Sequence, residues 1–127
     1  GRAVSEKTTL LDARMIKDAN FNSVRQTIQP CHPAFLDEAD KLGLYVEQEG
    51  PATFVGYPTS YDLRLAPLYT SLMSEMVERD RNHPSVILWS VFNEEPMQAT
   101  VQGYEMVRRM AATVKRLDTT RPVTAGR

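Results

Sequence analysis

One cysteine, Cys31, stands alone among 127 residues, so no disulfide within the chain can brace the fold. No apolar run approaches the roughly 20 residues that a membrane span requires. The first twenty residues carry charges throughout and hold no apolar stretch of the kind a secretory leader needs. The chain also lacks an initiator Met and opens Gly1-Arg2, which reads as a cut or processed start. The missing leader therefore assigns no compartment. An excess of either charge is missing as well. Fifteen Lys and Arg against sixteen Asp and Glu leave a formal net charge of −1, which argues against nucleic acid or an anionic membrane as partner. Short basic runs, Arg108-Arg109 and Lys115-Arg116, fall at helical spacing among apolar residues and read as solvated helix faces. There is no internal repeat of fixed period and no low-complexity tract.

What is present is the composition of an ordinary globular protein, 42% hydrophobic and 24% charged. The length fits one domain spanning 1–127, but it is only about half of what a complete (β/α)8 barrel needs. Helices and short apolar runs alternate. Ser5, followed by Glu6 and Thr8-Thr9, predicts a helix start, and Leu11, Met15 and Ala19 recur four apart with Ile16 beside them, as a buried helix face does. Asn20 stops it. Phe21 to Ile28, with Val24 inside, predicts a strand. Pro30 and Pro33 punctuate the turn into a short helix from Ala34 to Leu42, with Phe35, Leu36, Ala39 and Leu42 on one side and Gly43 as its C-cap.

Leu44-Tyr45-Val46 opens a second strand that ends near Glu49-Gly50, and a loop rich in Pro, Gly, Ser and Thr runs from Pro51 to about Tyr61. Leu65, Leu68, Tyr69, Leu72, Met73, Met76 and Val77 then keep helical spacing over several turns. Val86 to Phe92 is apolar almost without break, the pattern of a parallel strand buried on both faces. Val101, Tyr104, Val107, Val114 and Leu117 mark a last long helix, and Pro122 to Thr124 the start of a fourth strand. The order α-β-α-β-α-β-α-β predicts an α/β fold of parallel strands with helical crossovers. The pattern fits both a slice of a closed barrel and an open doubly wound sheet. No Gly-rich phosphate fingerprint follows any strand, which weakens the nucleotide-binding version.

The chemistry concentrates where the third strand ends, in Asn93-Glu94-Glu95-Pro96. Parallel α/β folds place their sites at the C-terminal ends of strands, so an amide and two carboxylates there are functional candidates. The competing reading makes Glu94 and Glu95 helix N-terminal charges, which stabilise that end of the following helix. Glycoside hydrolysis needs a carboxyl group with a raised pKa to protonate the leaving oxygen, and a Glu at the mouth of an apolar strand can be desolvated in that way.

The run Arg81-Asn82-His83-Pro84-Ser85-Val86-Ile87-Leu88-Trp89-Ser90-Val91-Phe92-Asn93-Glu94-Glu95-Pro96 resembles the acid/base signature of family 2 glycoside hydrolases, the group of β-galactosidases, β-glucuronidases and β-mannosidases. Three other segments agree in order: Asn20-Phe21-Asn22-Ser23-Val24-Arg25, then Ala39-Asp40-Lys41-Leu42-Gly43-Leu44-Tyr45-Val46 with Glu49, and Leu117-Asp118-Thr119-Thr120-Arg121-Pro122-Val123-Thr124. The resemblance covers essentially the whole chain. It implies a partial (β/α)8 TIM barrel, about strands two to five, from a retaining hydrolase of terminal β-linked sugars. In that frame Glu94 is the general acid/base and Asn93 the amide that bonds the sugar 2-hydroxyl. Arg25 steadies the nucleophile carboxylate or, on the plainer reading, forms a structural ion pair. Glu49 lines the pocket at the end of strand three. His83 reads as a turn residue and Trp89 as core. Phe54 and Tyr57, in the long loop, are aromatic candidates for stacking on a sugar.

The chain departs from the family in places. Many members continue the strand-two motif with Ser-His-Tyr-Pro, and this chain reads Gln26-Thr27-Ile28-Gln29-Pro30, so the histidine that commonly touches substrate is absent. No carboxylate-and-histidine magnesium motif follows Glu49, and neither metal nor cofactor is expected. The nucleophile Glu belongs to strand seven of the family barrel, outside this chain. A retaining mechanism needs two carboxyl groups about 5–5.5 Å apart. A second reading follows: an isolated or engineered partial barrel that turns nothing over and associates with itself through open sheet edges. A third, another barrel glycosidase with an Asn-Glu-Pro ending such as an endo-cellulase or mannanase, is opposed by Asn82-His83-Pro84-Ser85 and Arg121-Pro122-Val123-Thr124.

Overall fold

The computed structural model describes residues 4–27, 29–50, 52 and 62–126. Ile28, Phe54 and Tyr57 lie outside the described residues. Helix α1 (Glu6–Asp18) opens on Ser5, whose side chain accepts from the Thr8 N–H, and it gives way to Asn20 in the left-handed region at φ 65°. Strand β1 (Ser23–Gln26) follows, then α2 (Pro33–Leu42), with His32 capping its start and Gly43 at φ 66° ending it. Next come β2 (Tyr45–Glu49), a 3₁₀ turn (Leu63–Leu65) and α3 (Ala66–Asp80). The chain continues through β3 (Val86–Asn93), a second 3₁₀ turn (Pro96–Ala99), α4 (Val101–Leu117) and β4 (Val123–Gly126).

The four strands form one parallel sheet in the order β1-β2-β3-β4, as the alternation predicts. Sequential order with right-handed crossovers puts α2, α3 and α4 on one face, and α1 packs against α2. The core lies between that face and the helices. Val46, Trp89 and Val91 from the strands meet Leu36, Tyr69, Met73, Val77, Met106, Met110 and Val114 from the helices. Burying each large apolar side chain contributes about 1.5–3 kcal/mol.

Two apolar expectations are corrected. Leu11 and Met15 do not face the core: they are 54% and 59% exposed, and α1 turns Ala13 and Ile16 inward instead. β1 is an edge strand among the described residues, so the side of α1 beyond it has no neighbour to pack against. β3 is buried from Trp89 to Asn93, but Ile87 is 44% exposed. Here the β2–β3 register slips, with Val46 opposite Val86 and Glu47 opposite Leu88, and the bulged Ile87 is turned out.

The end of α4 is tied to β3 and to the entry of β4 through one buried carboxylate. Asp118 accepts from Trp89 Nε1 at 2.9 Å, the Thr120 N–H at 2.8 Å, Thr120 Oγ1 at 2.6 Å and Arg121 Nη1 at 2.8 Å. Arg121 also donates to the His83 carbonyl at 3.0 Å and lies 5.9 Å from the centre of the Trp89 ring. At the N-terminal end of β3, His83 Nδ1 lies 2.7 Å from Asp40 Oδ2, and the Ser85 N–H donates to Asp40 Oδ1 at 2.8 Å. His83 therefore sits at the opposite end of β3 from Glu94.

Burial pushes the Asp118 carboxyl up, but its hydrogen bonds from Thr120, Arg121 and Trp89 outweigh that and hold it well below the usual carboxylate range. The depressed folded pKa means that this contribution to stability is present above the unfolded pKa and is lost as pH falls below about 4–5. Asp118→Ala is expected to cost about 3 kcal/mol, because it leaves an indole N–H and a guanidinium without their partner. Urea unfolding at pH 7 and pH 3 checks this, and the difference between variant and parent shrinks at the lower pH.

Candidate active site

Residues in register on parallel strands point to the same face, and residues two apart on one strand share it. Arg25 is opposite Glu47, and Glu49 is opposite Ser90. Between β3 and β4 the register slips again: Ser90 is opposite Thr124 and Asn93 opposite Gly126, three residues against two. Without that bulge, alternation would turn Asn93 toward the helices. With it, Arg25, Glu47, Glu49, Ser90, Asn93 and Gly126 share the face away from the helix layer.

Arg25 joins three of the four strands. Its Nη2 donates to Glu49 Oε2 at 2.7 Å and to Asn93 Oδ1 at 2.5 Å, and its Nε lies 3.6 Å from Glu47 Oε1. Glu49 also accepts from Thr27 Oγ1 at 3.1 Å and Ser90 Oγ at 3.3 Å. The Glu49 side chain is fully buried whereas that of Arg25 is 38% exposed. Glu49, expected at the pocket wall, is therefore seated beneath Arg25. A buried carboxylate without a counter-charge is costly, and the guanidinium supplies that charge.

Glu94 follows directly. Its N–H donates to the Gly126 carbonyl at 3.2 Å, and its backbone is left-handed at φ 52°. That conformation costs a non-glycine residue about 1–2 kcal/mol and clusters at functional sites. The Glu94 side chain is exposed, while Glu95, next in the chain, is only 4% exposed. Burial, with the Glu95 charge adding to it, raises the Tyr69 phenol on α3. Of two adjacent carboxylates, the sheet end presents only Glu94 to solvent. Thr27, Ser90 and Gly126 join the cluster without having been singled out by sequence. A glycine at the end of a strand run is the one signal available for Gly126.

No three His, Cys, Asp or Glu side chains among the described residues are placed to hold a metal ion. No helix among them is long and apolar enough to cross a membrane.

The model of the glycosyl hydrolases family 2 TIM barrel domain matches residues 1–126. This chain belongs to glycosyl hydrolase family 2. It is 39% identical to the β-galactosidase of Psychromonas ingrahamii over 97% of this chain and 12% of that protein. It is 36% identical to the β-galactosidase of Pectobacterium atrosepticum, again over 97% of this chain and 12% of that protein. Among solved structures, the β-D-glucuronidase of Dictyoglomus thermophilum superposes with a TM-score of 0.88 at 30% identity, covering 98% of this chain and 23% of that one. The chain thus spans about an eighth of these curated relatives. Its sheet of four parallel strands is part of the family 2 (β/α) barrel, and the family is one of glycosidases.

The left-handed backbone gives a stability prediction. Glu94→Gly is expected to stabilise the fold by about 0.5–1 kcal/mol, the relieved strain less the extra flexibility of glycine in the unfolded chain. Urea midpoints of the two forms check it, and a lower midpoint for the glycine variant contradicts it.

Proposed function

We propose that this segment supplies the acid/base half of a retaining glycosidase site acting on a terminal β-linked sugar. Glu94 is the general acid/base, and the nucleophile carboxylate comes from another part of the family barrel. The observation that supports this reading most directly is the placement of Glu94. It is exposed and held on a left-handed backbone at the C-terminal end of β3, next to the Arg25–Asn93 pair.

In the first step the nucleophile carboxylate attacks the anomeric carbon while the Glu94 carboxyl gives its proton to the glycosidic oxygen, and that C–O bond breaks. In the second, the Glu94 carboxylate takes a proton from water, which attacks the same carbon and releases the nucleophile. Asn93 holds the sugar 2-hydroxyl. Arg25, itself anchored by Glu49, steadies the nucleophile. Glu49 then acts through Arg25 and not on the sugar. Carbohydrate is the partner class. The β-galactosidase names of relatives favour a neutral sugar, and a neutral sugar meets no unfavourable charge beside Glu47 and Glu94. An endo-cellulase or mannanase assignment is disfavoured by the family match over 1–126.

The test uses the Psychromonas β-galactosidase with its matched stretch replaced by this chain. Glu94→Gln is expected to lower kcat/KM by about 10²–10⁴-fold on a substrate with a poor leaving group, and by less where the leaving group needs no proton. Glu95→Gln is expected to be milder, because that side chain is buried away from the mouth. A larger loss at Glu95 identifies the wrong carboxylate.

A second expectation concerns the 127-residue chain alone. β1 and β4 each have one unpaired edge among the described residues, and Phe21, Tyr45 and Ile87 are exposed. Open edges pair with other chains. We propose that the chain alone self-associates and does not hydrolyse an aryl β-glycoside, since one carboxylate cannot complete the mechanism. Sedimentation and a chromogenic assay check both halves. A compact monomer contradicts the first, and turnover lost in Glu94→Gln contradicts the second.

A further inference from the structure

We propose that Gly126 is a positioning residue, one that seats the Arg25 guanidinium against Asn93 by having no side chain. Glycine within a strand usually weakens it and marks the close approach of another group. Gly126 is not there for its backbone freedom, since Gly43 is the glycine with positive φ among the described residues. What matters is the missing Cβ. A Cβ at 126 would lie 1.9 Å from Arg25 Nη2, 2.9 Å from Arg25 Cζ and 3.2 Å from Asn93 Oδ1.

The end of an arginine normally swings aside at little cost. Here the colliding atom is the one that donates to both Glu49 and Asn93. Glu49 is itself buried and held by Thr27 and Ser90. A methyl group at 126 and the two bonds from Nη2 cannot coexist. The same residue holds Glu94, whose N–H donates to the Gly126 carbonyl. One glycine therefore lies against Arg25, Asn93 and Glu94, three of the four residues to which the proposed function gives roles. The catalytic half of this inference rests on that function, whereas the geometric half does not.

Two mutant cycles test it. In the 127-residue chain at fixed concentration, Gly126→Ala is expected to lower the urea midpoint. In an Arg25→Ala/Glu49→Gln background, where the colliding group is gone and no buried carboxylate is left without its cation, the same change is expected to have little effect. An equal loss in both backgrounds overturns the geometric half; if Gly126→Ala alone does not fold, folding of Gly126→Ala in the second background supports it and failure to fold there overturns it. In the Psychromonas chimera, Gly126→Ala is expected to lower kcat by up to about a hundredfold, as small misplacements of reacting groups do. It is expected to add almost nothing to Arg25→Ala/Glu49→Gln, which already lacks the guanidinium that the new methyl group would displace. A merely structural glycine loses the same factor with or without Arg25, and that result overturns the positioning role. If Asn93→Ala alone leaves kcat/KM unchanged, the proposed function fails and takes the catalytic half with it, while the first cycle still decides the geometry.

Discussion

A single guanidinium nitrogen, Nη2 of Arg25, connects a buried carboxylate on β2 to the amide that ends β3. The rest of the site depends on that connection. Glu49 is fully buried, and a carboxylate in that position is tolerable only with a cation and hydrogen-bond donors around it. The cation comes from β1 and the donors from Thr27 and Ser90. Once Arg25 is fixed from below, its position fixes Asn93 from the side. The ion pair that keeps Glu49 inside the protein is thus also the device that orients the mouth. The ion pair with Glu49 leaves Arg25 free to hold a second partner, since the same atom also donates to Asn93.

The fold is braced away from this mouth. Asp118, Arg121 and Trp89 lock the last helix to β3, and Asp40 gathers His83 and the Ser85 N–H at the opposite end of the same strand. Gln48 is held from both sides on the helix face, accepting from the Cys31 N–H and donating to Asp80. The buried side chains of Asp118 and Gln48 are each hydrogen-bonded from more than one side, so β3 is tied to its neighbours at several points along its length. Strain is concentrated at its C-terminal end, where Glu94 adopts a left-handed backbone. That distribution suits a residue that must present its carboxyl in a set direction, because a rigid strand carries the cost of the conformation.

Much of this was legible in the sequence. Period-four spacing and end signals such as Ser5, Asn20 and Gly43 place the helices, and the apolar run from Val86 places β3. The family motifs point to the C-terminal end of β3, where Asn93 ends the strand and Glu94 follows it. What was not legible follows from geometry that a linear pattern does not carry. Period alone says that α1 has an apolar face but not what covers it, so Leu11 and Met15 were assigned to a core they do not reach. Glu94 and Glu95 are chemically identical neighbours, separated by the sign of one φ angle. The bulge between Ser90 and Asn93 is invisible in a run of strand residues, yet it decides that Asn93 meets Arg25. The family resemblance gives Glu49 a place in the pocket, but that its side chain is fully buried and paired with Arg25 is visible only in the folded chain. Gly126 belongs to none of the family motifs, and its position at a strand end hints at a close approach that only what surrounds its missing side chain makes specific.

The central claim is that Glu94 is the acid/base and not the nucleophile of a retaining pair. The most direct measurement is the product formed when the Glu94→Ala chimera acts on an aryl β-glycoside with a good leaving group in the presence of azide. The nucleophile is intact in that variant, so the glycosyl-enzyme forms, and azide, which needs no general base, replaces water on the face from which the leaving group departed. The account predicts restored turnover and a glycosyl azide of β configuration. A glycosyl azide of α configuration would mean that azide had taken the place of the nucleophile itself, and it would contradict the assignment.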